Sequence, residues 1–476
     1  MKKALCGMIL GVFAAAAIIP VAQGADIEID FGTATGPVKP VHAAGQGPLL
    51  FGPDFSMFRY LKEAGVPYVR LHDVGGMFGQ NLWVDIPNIF RNFDADENDP
   101  KNYDFVFTDL YIKALVDNGV EPYFRLGVTI ENYARSVGKP YRIFPPKDFA
   151  KWARICEHVI RHYTEGWADG YKWKITYWEI WNEADDRPDD RNPMWLGTWR
   201  QFCELYDIAS KHLKAKFPHL KIGGYGKCSA HNVTFEMKGE PVPEANAYRH
   251  RCFAEFCDFI KERKCPLDFF SFHGYITPDL VKPHTDYHRA LLRKAGYGDV
   301  ELHLNEWMTR DWLFDRNAET YYWKNARLSG GIAAFVAAAQ LTDGLDVANI
   351  YDARCALSRY APLFDPVANK PGKAFYALKY FNALYRLGTA VKCEVAGGQG
   401  KNGLWAVAAK GEKGAAAFVV NDSANARTVT FDVDGRRPVS FRVVDDNRTD
   451  ADLGISDPLP TGCALTPHSF MLVTFK

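Results

Sequence analysis

Ile175-Thr176-Tyr177-Trp178-Glu179-Ile180-Trp181-Asn182-Glu183 reads as a buried, aromatic-rich strand that stops at a polar Asn-Glu pair. Its β-branched and aromatic residues suit a strand covered on both faces. Asn182 and Glu183 then stand where the strand leaves its sheet. A second strand, Glu301-Leu302-His303-Leu304-Asn305-Glu306-Trp307, also ends in Asn-Glu. Either glutamate alone reads as a surface acid in a loop. Two strand ends that each present a carboxylate make a constellation, and cleavage of a glycosidic bond uses such a pair directly.

Outward from these strands the chain keeps a strand-helix rhythm. A helix over Met57–Ala64 precedes Tyr68-Val69-Arg70-Leu71-His72-Asp73, and Phe107, Leu110, Tyr111, Ala114 and Leu115 fall on one face of the next helix. Pro122–Gly127 is the following strand. Pro145-Pro146 opens a helix with Phe149, Trp152, Ala153, Cys156 and Ile160 facing inward, and this helix feeds the strand of Glu183. Further strands are predicted at Lys221–Tyr225, Leu267–Tyr275, Glu301–Trp307 and Val347–Tyr351. With a weak first candidate at Val41–Ala44 they number eight. Such alternation implies an α/β fold with a parallel sheet, and eight units predict a closed (β/α)8 TIM barrel. An open doubly wound sheet is the alternative, but no Gly-x-Gly-x-x-Gly turn follows an early strand.

The pattern changes near residue 388. Leu404–Ala409, Ala415–Val420, Thr428–Val433, Val439–Val444 and Phe470–Phe475 are short strands between Gly, Asn and Asp turns. They predict an antiparallel β-sandwich. Ile27–Phe31 alternates like a strand but belongs to no βα unit, so it is expected to join that domain. The organisation read from the sequence is a signal peptide at 1–24, an N-terminal strand at 25–35, a barrel at 36–388 and a β-sandwich at 389–476. The leader rests on Lys2 and Lys3, an apolar run from Leu5 to Ala22, and an Ala22-Gln23-Gly24 exit, and it predicts export to the periplasm or the extracellular space.

Composition narrows the classes. Lys+Arg and Asp+Glu both number 57 in 476 residues, and without a basic run nucleic acid is not expected as a partner. No stretch after the leader has the ~20 apolar residues a membrane span needs. Of ten cysteines, Cys6 lies in the leader, and the rest show no Cys-x-x-Cys spacing. Zinc is therefore unsupported, and Cys156 and Cys203 read as small core residues. No metal or organic cofactor is called for.

Active sites of such barrels lie at the C-terminal strand ends. Here those ends carry Arg70, His72 and Asp73; Glu131; Asn182 and Glu183; His273 and Tyr275; Asn305 and Glu306; and Tyr351, Asp352 and Arg354. Each has a plainer reading: Arg70 as a structural ion-pair partner, the histidines as satisfied core residues, Tyr275 as a barrel cap, Asp352 and Arg354 as each other's partners.

The Tyr177–Glu183 strand, His273-x-Tyr275 and His303-Leu304-Asn305-Glu306-Trp307 resemble glycoside hydrolase family 39, which includes β-xylosidases and α-L-iduronidase. The likeness extends over roughly residues 60–390. It implies a retaining glycosidase with Glu183 as acid/base and Glu306 as nucleophile. It implies that Asn182 binds the sugar's 2-hydroxyl, and that His72, His273, Tyr275, Arg70, Asp73, Trp307 and Tyr351 line the substrate site. It further implies exo action on β-xyloside-like or related plant and microbial glycans, with an oligo- or polysaccharide as partner. Ala184 stands where the family often has proline, Tyr351 is the nearest aromatic to a missing strand-eight tryptophan, and Asp73-Val74-Gly75-Gly76 replaces a more familiar loop. An endo-acting glycanase of the same clan and a catalytically silent glycan-binding barrel are the rival readings. On the retaining reading, ionised Glu306 is expected to keep Glu183 protonated by like charge.

Overall fold

The structure is a computed structural model and describes residues 25–50, 57–74, 84–130, 142–188, 192–309, 326–454 and 462–476. The leader, Gly75, Gly76 and Glu131 lie outside the described residues. Eight parallel strands close a barrel in chain order. They are β2 (Ala43–Gly45), β3 (Tyr68–Leu71), β4 (Glu121–Leu126), β5 (Tyr177–Ile180), β6 (Lys221–Lys227), β7 (Phe269–Ile276), β8 (Glu301–Thr309) and β9 (Val347–Ile350). The strand β1 (Ile27–Pro37) precedes them, and a two-stranded hairpin, β10 (Phe364–Asp365) with β11 (Lys370–Pro371), follows.

Alternation along the strands divides the barrel into layers. Tyr123, Tyr177 and Phe269 pack together inside it, with Tyr177 and Phe269 also against the His303 ring. Two residues further along the same strands, Arg70, Arg125, Glu179, Ser271 and Asn305 are all buried. The outward residues of the same strands, such as Phe124, Trp178, Phe270 and Leu302, join the large core beneath the helices.

Local signals place the helices with some differences from the sequence reading. The helix before β5 runs Phe149–Thr164, starting after the Pro-Pro pair, because Asp148 caps it by accepting from Lys151 N at 3.0 Å. In the helix Val106–Asp117 the buried residues are Thr108, Tyr111, Ile112 and Leu115, whereas Phe107 and Leu110 are exposed. The inward stripe is therefore rotated from the one expected. The nine cysteines after the leader are all free, and Cys156 and Cys203 are buried. No described helix is long and apolar enough to cross a membrane.

The remaining strands form a nine-stranded sheet ordered β17-β16-β19-β14-β13-β12-β1-β15-β18. They are β12 (Thr389–Val395), β13 (Leu404–Gly411), β14 (Gly414–Asn421), β15 (Arg427–Val433), β16 (Pro438–Val444), β17 (Ala451–Asp452), β18 (Gly462–Leu465) and β19 (Ser469–Phe475). Strand β1 is antiparallel to β12 and parallel to β15. The sequence reading missed β12, β17 and β18. The sheet encloses a core of its own, and alternate residues face the barrel. On β14, Ala415, Ala417 and Val419 belong to the inner core, while Ala416, Phe418 and Val420 pack with the barrel's core. Phe418 there meets Phe381 of the helix Lys373–Tyr385 at 6.4 Å and Phe470 at 5.9 Å.

Because Phe418 is fully buried between the two parts, Phe418→Ala is expected to cost about 3–5 kcal/mol. Urea unfolding followed by tryptophan fluorescence checks this; a loss below about 1 kcal/mol would mean that the sheet does not brace the barrel.

Candidate active site

Two departures from strand geometry build the site. A strand shows alternate residues to one face, so Asn182 and Glu183 could not both enter the barrel mouth from a regular β5. Instead Trp181 (φ 71°) and Glu183 (φ 43°) adopt the left-handed conformation. Such a conformation costs on the order of 1–3 kcal/mol for a non-glycine residue and persists only where its surroundings fix it. Trp181 N donates to Leu126 O at 2.7 Å, its Nε1 donates to Met194 O at 2.9 Å, and Glu183 N donates to Gly226 O at 2.9 Å. On β8 the pairing with β7 slips by one residue, so that His303 faces Ser271 but Glu306 faces His273. Asn305 is the extra residue of this bulge. Asn305 and Glu306 therefore both reach interior groups, and Trp307 turns outward.

Arg70 ties these pieces together. Fully buried on β3, it donates from Nε to Glu179 Oε2 at 2.7 Å, from Nη1 to Glu306 Oε2 at 3.3 Å and from Nη2 to Asn182 Oδ1 at 2.5 Å. Glu179 also accepts from Ser271 Oγ and Asn305 Nδ2, both at 2.6 Å. Every oxygen of this buried carboxylate is thus engaged, as its burial demands. Gly226, at φ +59°, lets these groups crowd together. A Cβ there would sit 2.9 Å from Arg70 Nη2, 3.1 Å from Asn182 Oδ1 and 3.2 Å from His273 Nε2.

Above this layer lie the two glutamates. His273 Nδ1 is 2.7 Å from Glu183 Oε1 and 3.5 Å from Glu306 Oε2, and Tyr275 OH donates to Glu306 Oε1 at 2.5 Å. One atom each of Glu183, His273 and Glu306 lie within 4.8 Å of one another. Among the described residues these three alone could meet at a single metal ion. Arg70 already supplies the adjoining positive charge and His273 Nδ1 is engaged by Glu183, so the trio is read as an acid pair and not as metal ligands.

The two acids are electrostatically unequal. Burial lifts Glu183 to about 7, and the Asp186 charge adds to this. Burial also raises Glu306 and the Glu183 charge adds to this, while Arg70 and the Tyr275 hydroxyl pull it back. Arg70 and Tyr275 donate to Glu306, and among the described residues no arginine or lysine contacts Glu183. The proton of the pair therefore belongs on Glu183. Asp186 adds to the like charge that the two acids exert on each other. His273, lowered by burial to about 4, is neutral at working pH.

Of the ten residues to which the resemblance gives a role in the site, the structure brings nine together and leaves one out. Asp73, beside His72, accepts from Tyr351 OH at 2.8 Å, and so joins Arg70, Asn182, Glu183, His273, Tyr275 and Glu306 at the barrel mouth. Trp307 is the exception. Fully buried, it stacks on Phe335 of the helix Ala326–Leu341 at 3.9 Å, because the residue after the bulge points outward. Asp352 and Arg354 pair with each other, with Nη2 to Oδ2 at 2.7 Å. Three residues went unrecognised in the sequence. Glu179 was legible as a charged residue at an inward position of β5. Tyr360, edge-on to both Tyr275 and Tyr351, comes from a loop without a motif. Cys228, whose thiol donates to the Asp186 carboxylate at 3.5 Å, likewise carries no local signal.

The model of Glycosyl hydrolases family 39 matches residues 53–299, just over half of the chain, and includes β5 but stops short of β8. Beta-xylosidase from Geobacillus stearothermophilus is 23% identical over 278 residues, 52% of this chain and 48% of that protein. Human alpha-L-iduronidase is 30% identical over 172 residues, 36% of this chain and 24% of that protein. The chain spans about half the length, or less, of the curated relatives it matches. Among solved structures, a glucosidase from Croceicoccus marinus superposes with a TM-score of 0.72 at 19% identity, covering 95% of this chain and 99% of that one. A monomeric beta-xylosidase from Caulobacter crescentus gives 0.63 at 15% identity, covering 94% and 99%. These likenesses extend the shared fold to nearly the whole chain.

Removing Arg70 strands Glu179 as a buried charge. Arg70→Met is expected to cost about 3–5 kcal/mol, and the double variant Arg70→Met/Glu179→Met less than the single one. Thermal and urea unfolding of these two variants and of Glu179→Met measure this; a double variant as unstable as the sum of the two singles would contradict a direct Arg70–Glu179 pairing.

Proposed function

The chain belongs to glycosyl hydrolase family 39, and from that premise we propose that it is a retaining glycosidase acting by double displacement. One observation carries the reading: two carboxyl groups at the ends of β5 and β8 with oxygens within 4.8 Å. That spacing suits attack by one acid and proton transfer by the other, whereas inverting enzymes hold theirs about 6.5–9.5 Å apart to admit a water.

Each residue's role follows from its surroundings. Glu306, in contact with Arg70 and Tyr275, attacks the anomeric carbon, and the bond to the leaving oxygen breaks as Glu183 gives that oxygen its proton. Water then attacks the same carbon, its proton passes to Glu183, and the bond to Glu306 breaks. A Glu183 carboxyl raised to about 7 holds its proton below neutrality, as the first step requires. Asn182, oriented by Arg70, is placed to bind the 2-hydroxyl. His72, Asp73, Tyr275 and Tyr351 line the sugar site.

Beta-xylosidases among the relatives support a β-xyloside-like glycan substrate and exo action. Export is part of the same proposal and rests on the composition of residues 1–24.

Proton NMR of early hydrolysis of an aryl β-xyloside is expected to show the β anomer first. Glu306→Ala is expected to lose activity on every substrate. Glu183→Ala should still release an activated phenol, accumulate the glycosyl-enzyme and regain turnover with azide, giving a β-glycosyl azide. An α product would sink the double displacement. Azide rescue of Glu306→Ala with retention, and none of Glu183→Ala, would exchange the two roles.

A further inference from the structure

The loop that follows Glu183 carries more buried charge than a turn requires. Asp186 N donates back to Glu183 O at 3.1 Å, closing the turn. The Asp186 Oδ1 atom accepts from Arg249 Nη2 at 2.5 Å and from Cys228 Sγ at 3.5 Å, its Oδ2 pairs with Arg187 Nε at 3.1 Å, and its backbone oxygen accepts from Arg249 Nε at 3.1 Å. Arg249, on the helix Glu244–Arg263, is itself held from Nη1 by Asn246 Oδ1 at 3.1 Å and Ser229 Oγ at 3.3 Å. Hydrogen bonds thus link Glu183 through Asp186 to Cys228 and Arg249.

We propose that Asp186 and Arg249 act as positioning residues for Glu183, their opposed charges deciding the pH at which the acid/base releases its proton. This rests on the glycosidase reading. The groups facing Glu183 are His273 from β7, Glu306 from β8, Arg70 from β3, Cys228 from the segment after β6, Asp185 and Asp186 from its own loop, Arg249, and the Tyr275 and Tyr360 hydroxyls. Arg70 and His273 act on both catalytic acids, so changing either disturbs the nucleophile as well. Asp186 and Arg249 bear on Glu183, and neither is among the main influences on Glu306, which are burial, His273, Glu183, Arg70 and the Tyr275 hydroxyl. After burial, Asp186 is the largest influence raising Glu183, and Arg249 is the largest opposing it. A double displacement needs the same carboxyl first as acid and then as base, so a pair of opposed charges beside it can set both states.

The test is the pH profile of kcat/KM on an aryl β-xyloside with a poor leaving group. Asp186→Asn removes a negative neighbour, so the basic limb is expected to move down by about one pH unit, a roughly tenfold loss on the alkaline side. Arg249→Gln removes a positive neighbour and is expected to move the limb up. Asp186→Glu should restore it towards the wild-type position. General loss of packing would not shift the limb in opposite directions. Should Asp186→Asn fail to fold by circular dichroism, the upward displacement in Arg249→Gln carries the test. Limbs that stay in place, or move together, in folded and active variants overturn the proposal. A wild type that hydrolyses no glycoside overturns the parent reading, and this one with it.

Discussion

A guanidinium buried inside a barrel has to find carboxylates there, and Arg70 finds Glu179 and Glu306. Leaving such a charge unpaired costs several kcal/mol, more than most single contacts contribute. The positions of β3, β5 and β8 are therefore linked through one side chain. Glu179 takes the central share, with Ser271 of β7 and Asn305 of β8 completing its oxygens. What reaches upward from this layer, the second Arg70 amino group and the far oxygen of Glu306, is what the site uses.

The same layer explains why the backbone breaks where it does. Regular strands deliver every second residue, and the site needs adjacent ones. On β5 the left-handed Trp181 and Glu183 supply them, and on β8 a bulge at Asn305 does. Gly226 admits three polar groups to the space a methyl would fill. Each device is local, but each is fixed by atoms from another strand: Leu126 holds Trp181, and Gly226 holds Glu183. A small movement of β4 or β6 would therefore reach Glu183 directly.

The barrel was legible because its signal is repeated. Eight strands alternating with amphipathic helices leave few other arrangements, and paired Asn-Glu strand ends mark the site. Trp307 misled because the bulge reverses its direction, and pairing register is not written in one strand alone. Phe107 and Leu110 misled because Thr108 and Ile112 hold the buried face of their helix; an apolar residue can remain exposed without cost enough to forbid it. Asp186, Arg249 and Cys228 meet from three separate segments, so no local pattern announces them. Glu179 could have been found. A glutamate in the middle of an apolar strand, two residues from the aromatic layer, must have a buried partner.

The proposed double displacement rests on one division of labour: Glu306, beside Arg70 and Tyr275, would bond to the sugar, and Glu183, beside Asp186, would move the proton. The most direct test is covalent capture with an activated 2-deoxy-2-fluoro-β-xyloside, whose intermediate hydrolyses slowly, followed by peptide mass spectrometry. The account predicts one glycosyl adduct, on Glu306 within the β8 peptide. An adduct on Glu183, or steady turnover with no adduct at all, would contradict it.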